Sequence, residues 1–136
     1  MLKPGPVDAR ASLVVCTTCR AKVRAPGDAP AGSVLADLLE RQAAADPQAA
    51  GIAVERMACL FACSAPCAVH LRGPGKIGYV LGWFEPTAEA AAAILAYAAA
   101  HARTADGTVP FERWPDGVKG RFIVRIPPPG TVVAEG

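Results

Sequence analysis

The apolar positions of this chain follow two rhythms, and the changes between them mark the elements. Residues 12–15 (Ser-Leu-Val-Val) are a continuous apolar run that ends at Cys16. A short run without alternation reads as a buried strand. From residue 33 the spacing changes: Val34, Leu35, Leu38 and Leu39 recur at helical intervals, with Asp37, Glu40 and Arg41 on the other side. This predicts a helix over 33–45, with Ser33 or Gly32 as N-cap and Asp46-Pro47 as its stop. Residues 52–57 (Ile-Ala-Val-Glu-Arg-Met) predict a second strand, 68–72 (Ala-Val-His-Leu-Arg) a third and 77–81 a fourth. Only Gly73-Pro-Gly-Lys76 separates the last two, so they form an antiparallel hairpin. Pro86-Thr87 opens a second helix that runs to 103, with Thr87 as N-cap, Glu89 in its first turn, and Ile94, Leu95 and Ala98 toward the sheet.

The first two strands flank one helix, which predicts a right-handed βαβ unit with the strands parallel. The order β-α-β-β-β-α is the core plan of the thioredoxin fold, an α/β architecture. It predicts a flexible arm over 1–11, a domain over 12–103, and a C-terminal extension over 104–136 that packs on the core. In the extension, Pro115 suits the start of a helix with Val118, Phe122 and Ile126 on one face. The alternation of Phe122, Val124 and Ile126 equally suits a strand; of the two, the helix is the expectation. From Pro127 the chain is expected to be extended and mobile.

Composition narrows the functional classes. The chain has 136 residues, enough for a core of its own. A net charge of +2 with 19% charged residues gives no basic footprint for nucleic acid. No apolar run approaches the roughly 20 residues that span a bilayer. The beginning, Met1-Leu-Lys-Pro-Gly-Pro, lacks the apolar core of a signal peptide. These readings predict a cytoplasmic protein without a membrane or nucleic-acid partner.

The five cysteines then become informative, because they fall in two short segments: Cys16-Thr-Thr-Cys19, and Cys59-Leu-Phe-Ala-Cys63-Ser-Ala-Pro-Cys67. Each segment follows a predicted strand, so a parallel pair brings them together. In a reducing compartment such a group reads as metal-binding or catalytic rather than as a disulfide framework. Four thiolates suit a 2Fe–2S cluster, two on each iron. Arg20, Lys22 and Arg24 favour ionised thiols at the first pair. Small residues (Ala62, Ser64, Ala65) let backbone N–H groups reach the sulfurs, and Leu60 and Phe61 are expected to shield the site from water.

Residues 12–103 resemble the thioredoxin-like 2Fe–2S ferredoxins. The likeness rests on the cysteine segment after the first strand, on Cys59-Leu60-x-x-Cys63, on Ala65-Pro66 leading into a strand, and on the strand order. Nearly the whole chain also resembles a bacterial family of unknown function labelled "predicted metal-binding protein". Its marks are Val15-Cys16-Thr-Thr-Cys19-Arg20, Cys59-Leu-x-x-Cys63-x-x-x-Cys67, Pro74-Gly-Lys76, Tyr79-Val-x-Gly82 and Arg125-Ile-Pro-Pro128. The resemblance implies a genomic neighbourhood of cobalamin-biosynthesis and metal-homeostasis genes. It also implies a redox partner protein and admits a homodimer, for which Trp83, Phe84 and Trp114 offer an apolar patch. In the ferredoxins the first two ligands stand further apart than Cys16 and Cys19.

The expected ligands are therefore Cys16, Cys19, Cys59 and Cys63, with Cys67 as an alternate. The expected role is electron transfer or redox support to a partner enzyme, without catalysis by the chain itself. Two other readings stay open. One is a zinc- or cobalt-binding accessory protein in metal homeostasis or cobalamin metabolism, since zinc accepts four thiolates. The other is a thiol–disulfide protein using Cys16 and Cys19, with Pro66 where such folds place a cis-proline; the prolines and glycines at 26–32 separate that pair from the helix whose dipole would activate it. His70 reads as a packed strand residue, His101 as a positive charge near a helix end, and Lys76 as a solvated turn residue.

Overall fold

The computed structural model describes residues 11–18, 29–62 and 64–134. The expected arm (apart from Ala11), Arg20, Lys22, Arg24, and the loop up to residue 28 lie outside the described residues. So do Cys19 and Cys63. The elements are β1 (Ser12–Cys16), α1 (Ala31–Ala45), β2 (Ala53–Met57), β3 (Val69–Arg72), β4 (Gly78–Leu81), α2 (Ala88–Arg103) and β5 (Phe122–Ile126). Short 3-10 turns occupy Pro47–Ala49, Phe111–Arg113 and Asp116–Val118. The strands make one sheet in the order β2-β1-β3-β4-β5. The β1–β2 pair is parallel and the others are antiparallel. This is the thioredoxin-like α/β plan, with a fifth strand added at one edge.

Register shows which face the helices cover. Arg56 is paired with Val15 on β1, and Tyr79 with Leu71 and through it Leu13. The Arg56 guanidinium bonds to Glu40 at 2.6 Å and also to Asp37, both on α1. These two carboxylates, Glu40 foremost, hold the Arg56 guanidinium above its ordinary pKa. Tyr79 meets Tyr97 and His101 of α2 edge to face. Both helices therefore lie over the face that carries Leu13, Val15, Leu71 and Leu81. All four are almost completely buried with Leu35, Leu39 and Ile94, each such side chain stabilising the fold by about 1.5–3 kcal/mol. Ser12, Val14, Glu55, His70 and Arg72 take the opposite face, where Arg72 Nε donates to Ser12 Oγ at 3.1 Å.

Several local expectations change. Helix α1 begins at Ala31, after Pro30 rather than after Gly32 or Ser33, and no side chain caps it. Thr87 does cap α2, accepting the Ala90 N–H at 3.1 Å. The 73–76 turn has Pro74 at its second position and Gly75 at φ +68 in its third, the requirements of a type II turn. Lys76 is not a free surface charge: its ammonium donates to the carbonyls of His101 and Ala102, the last turn of α2. It supplies the positive end that His101 was expected to supply. His101 is instead 1% exposed, with its Nε2 2.7 Å from the Ile77 carbonyl oxygen. Burial holds its imidazole below the ordinary pKa, and Lys76 adds to the effect.

The extension corrects the helix expected from 115. Pro115 starts only the short 3-10 turn, whose Val118 is fully buried beside α2. Gly120, at φ +79, then reverses the chain into β5. Phe122 and Ile126 satisfy helical and strand spacing equally; the open edge of β4 decides, because pairing with it satisfies backbone groups a short isolated helix would leave bare. Trp114 stacks on Phe122 with ring centres 4.5 Å apart and donates its indole N–H to the Val109 carbonyl. Beyond β5 the chain is not simply extended: Thr131 N–H closes a turn on the Pro128 carbonyl at 3.1 Å.

Candidate functional site

The parallel pairing of β1 and β2 sets Cys16 opposite Met57, so both cysteine segments leave the sheet at the same end. The two threonines between Cys16 and Cys19 then stitch the segments together. Thr17 N–H donates to the Met57 carbonyl at 2.9 Å, and its hydroxyl donates to the same oxygen at 3.2 Å. The Thr18 hydroxyl donates to the carbonyl of Ala58, the residue before Cys59. On the other side, Cys16 N–H donates to the Ala68 carbonyl at 3.1 Å, and Cys67 N–H to the Phe84 carbonyl at 3.2 Å. Cys16, Cys59 and Cys67 thus belong to one end of the sheet. Cys16 and Cys67 are buried and Cys59 is half-buried.

The sulfur of Cys59 accepts the backbone N–H of Phe61 at 3.2 Å. Cys16 Sγ lies 3.8 Å from the Thr18 hydroxyl. Leu60 packs against the core, as a shielding residue would. Phe61 does not shield the site: it is 95% exposed and its backbone is left-handed, with φ +60. Trp83 has the same left-handed backbone, at φ +62, and its N–H donates to the Ala65 carbonyl at 3.3 Å. The apolar patch expected from Trp83, Phe84 and Trp114 is not assembled. Phe84 is buried under the Arg121 guanidinium, 5.0 Å from its ring centre, and Trp114 is part of the aromatic core, so Trp83 alone is exposed.

Sequence reasoning found the cysteines but missed their supports. The two hydroxyl side chains inside Cys-Thr-Thr-Cys were the available signal for the threonine stitch. Nothing in the sequence marked the backbone of Phe61. The cis peptide bond among the described residues joins Pro66 to Cys67 rather than Ala65 to Pro66, so Pro66 is not a cis-proline. His70, held below its ordinary pKa by burial with Arg72 assisting, is the packed strand residue expected.

The donor chemistry fits a thiolate-bound centre. Cysteine sulfurs from two adjacent strand ends are what both a 2Fe–2S cluster and zinc accept. Among the described residues, no group of three or more His, Cys, Asp or Glu side chains is placed to hold a metal ion. No helix among the described residues is long and apolar enough to cross a membrane.

A thioredoxin-like [2Fe–2S] ferredoxin from Aquifex aeolicus has a similar solved structure. The TM-score is 0.53 at 20% identity, over 92% of this chain and 100% of that one. At that identity the likeness bears on the fold. No curated protein matches the chain. A protein family of unknown function, DUF1636, matches residues 13–128, and the chain belongs to that family.

Proposed function

We propose that this chain holds a 2Fe–2S cluster through Cys16, Cys19, Cys59 and Cys63, with Cys67 as an alternate ligand, and serves as an electron carrier. The observation that carries the reading is the parallel β1–β2 pair with its threonine stitch, which draws the Cys16 and Cys59 segments to one sheet end. The fold shared with a thioredoxin-like 2Fe–2S ferredoxin supports it. When bound, such a cluster supplies one-electron chemistry that no side chain offers. The chain's own residues supply the thiolates, hold the two segments at fixed separation, and cover one side with Leu60. On this reading the protein is not itself an enzyme. It works in the cytoplasm, where thiols stay reduced, with a redox partner protein, and a homodimer is compatible with it.

The test is an absorption spectrum of protein purified without oxygen, with iron, sulfide, zinc and cobalt assayed on the same sample. About two irons and two sulfides per chain, with visible charge-transfer bands, are expected for a 2Fe–2S centre. Colourless protein with one zinc per chain, and no cluster after reconstitution, would overturn the reading in favour of a metal-binding accessory protein. Metal-free protein with a titratable Cys16–Cys19 disulfide would overturn it in favour of thiol–disulfide chemistry.

A further inference from the structure

We propose that Phe61 is a positioning residue for the cluster, acting through its main-chain N–H on the Cys59 sulfur rather than through its ring. The inference rests on the reading of Cys59 as a cluster ligand. Two observations carry it. The Phe61 N–H points at Cys59 Sγ across 3.2 Å. The backbone that aims it there is left-handed, at φ +60, a region that a phenylalanine seldom adopts. The ring does not account for that conformation, because it is 95% exposed and so is not drawn into the core. What the left-handed turn achieves at this position is the bond to sulfur, a side-chain acceptor two residues before its donor, the same closure an Asx turn makes with oxygen.

The consequence for a thiolate ligand follows from charge. A hydrogen bond to sulfur stabilises electron density on it. Adding one electron to a cluster raises the density on its ligands, so the bond strengthens in the reduced form. The Phe61 N–H therefore raises the reduction potential, and removing it lowers the potential.

Two readouts test the role. The first needs no cluster. In the metal-free protein the residue 61 amide should exchange with solvent at least about tenfold more slowly than in Cys59→Ala, which removes the acceptor. Equal rates would overturn the bond and the proposal with it. The second is the potential of the reconstituted protein, by spectroelectrochemical titration. Phe61→Gly and Phe61→Asn can keep the left-handed backbone and the N–H, and should keep the potential. Phe61→Pro lacks the N–H and cannot reach positive φ. It should lower the reduced-to-oxidised ratio at a given potential about tenfold, a shift of about 59 mV for one electron. A Phe61→Gly shift as large as that of Phe61→Pro would assign the effect to the ring and overturn the proposal. An unchanged Phe61→Pro potential would overturn it too. Should Phe61→Pro fail to fold, the amide comparison decides by itself. A protein that takes up no iron and sulfide at all refutes the cluster reading, and with it the role, even where the amide is protected; a loaded cluster whose potential ignores the N–H refutes the role alone.

Discussion

Gly82 offers the sharpest mechanical test of how the cysteine end is held. It follows β4, is buried, and its N–H donates to the Arg121 carbonyl at 2.9 Å. A methyl group at this position would lie 2.5 Å from the Ala65 carbonyl oxygen, 2.8 Å from Ala65 Cβ and 2.8 Å from Ile123 Cδ1. Only the isoleucine can swing away. The other two atoms belong to the segment between Cys63 and Cys67, and they move only if that segment moves. The same Ala65 carbonyl accepts the Trp83 N–H, so displacement also loosens that bond. Overpacking of this kind costs about 1–3 kcal/mol, and contact with backbone puts Gly82→Ala near the upper end. At about 3 °C per kcal/mol for a domain of this size, the melting temperature should drop by roughly 9 °C. Gly51→Ala is the control, since nothing lies within 4 Å of its added methyl; it should stay within about 0.5 kcal/mol of the parent. Urea unfolding of both metal-free variants gives the free energies, and iron content after reconstitution reports the loop. A Gly82→Ala protein as stable as Gly51→Ala would show that the 64–66 segment yields freely, which would refute the account of how this end is held.

Other perturbations test the site and the core. Cys59→Ser and Cys63→Ser should each abolish cluster uptake, while Cys67→Ser should leave most of it, read as iron and sulfide per chain; full uptake by Cys59→Ser would remove the basis of the cluster reading. Thr18→Val removes the hydroxyl bond to the Ala58 carbonyl and should cost about 1 kcal/mol in urea unfolding, with a faster loss of iron to a chelator. Lys76→Met strips the last α2 carbonyls of their donor and should cost about 1 kcal/mol, with no change in cluster uptake. Stability should also fall with acid: burial depresses the His101 imidazole below 6.5 in the fold, so below that pH the unfolded chain binds the extra proton and gains. His70 acts in the same direction. The loss should therefore be partly relieved in His101→Gln, measured by urea unfolding at about pH 7.5 and about pH 5.5.

Where one interaction dominates locally, the sequence was a sufficient guide. The apolar run before Cys16 has one use, a strand buried on both sides, and β1 is buried at every position. Pro74 and Gly75 dictate one turn, which fixes the β3–β4 hairpin. The βαβ reading of the first 57 residues followed from these rules, and it carried the two cysteine segments to the same sheet end. Legibility failed where a distant partner decides. Phe122, Val124 and Ile126 fit either period until β4 presents an unpaired edge. His101 looks like a surface charge until Ile77 and Tyr79 are known to surround it. Phe61 looks like a shield until its backbone conformation is known, because side-chain type carries no information about φ.

The positions that carry the family resemblance separate on physical grounds. Gly75 is explained by the turn, Lys76 by the carbonyls it caps, Tyr79 by its contacts with Tyr97, His101 and Phe122, and Gly82 by the closeness of Ala65. Each has a sufficient structural reason. Thr17 and Thr18 also have one, yet what they build is a link between two cysteine segments. Cys59 is different. It lies outside the buried core and half exposed, where a thiol contributes little by packing. The structural reasons run out at the Cys59 sulfur, which accepts the Phe61 N–H just beyond the Met57 and Ala58 carbonyls that the threonines bind; the ligand role proposed above would give that sulfur its use.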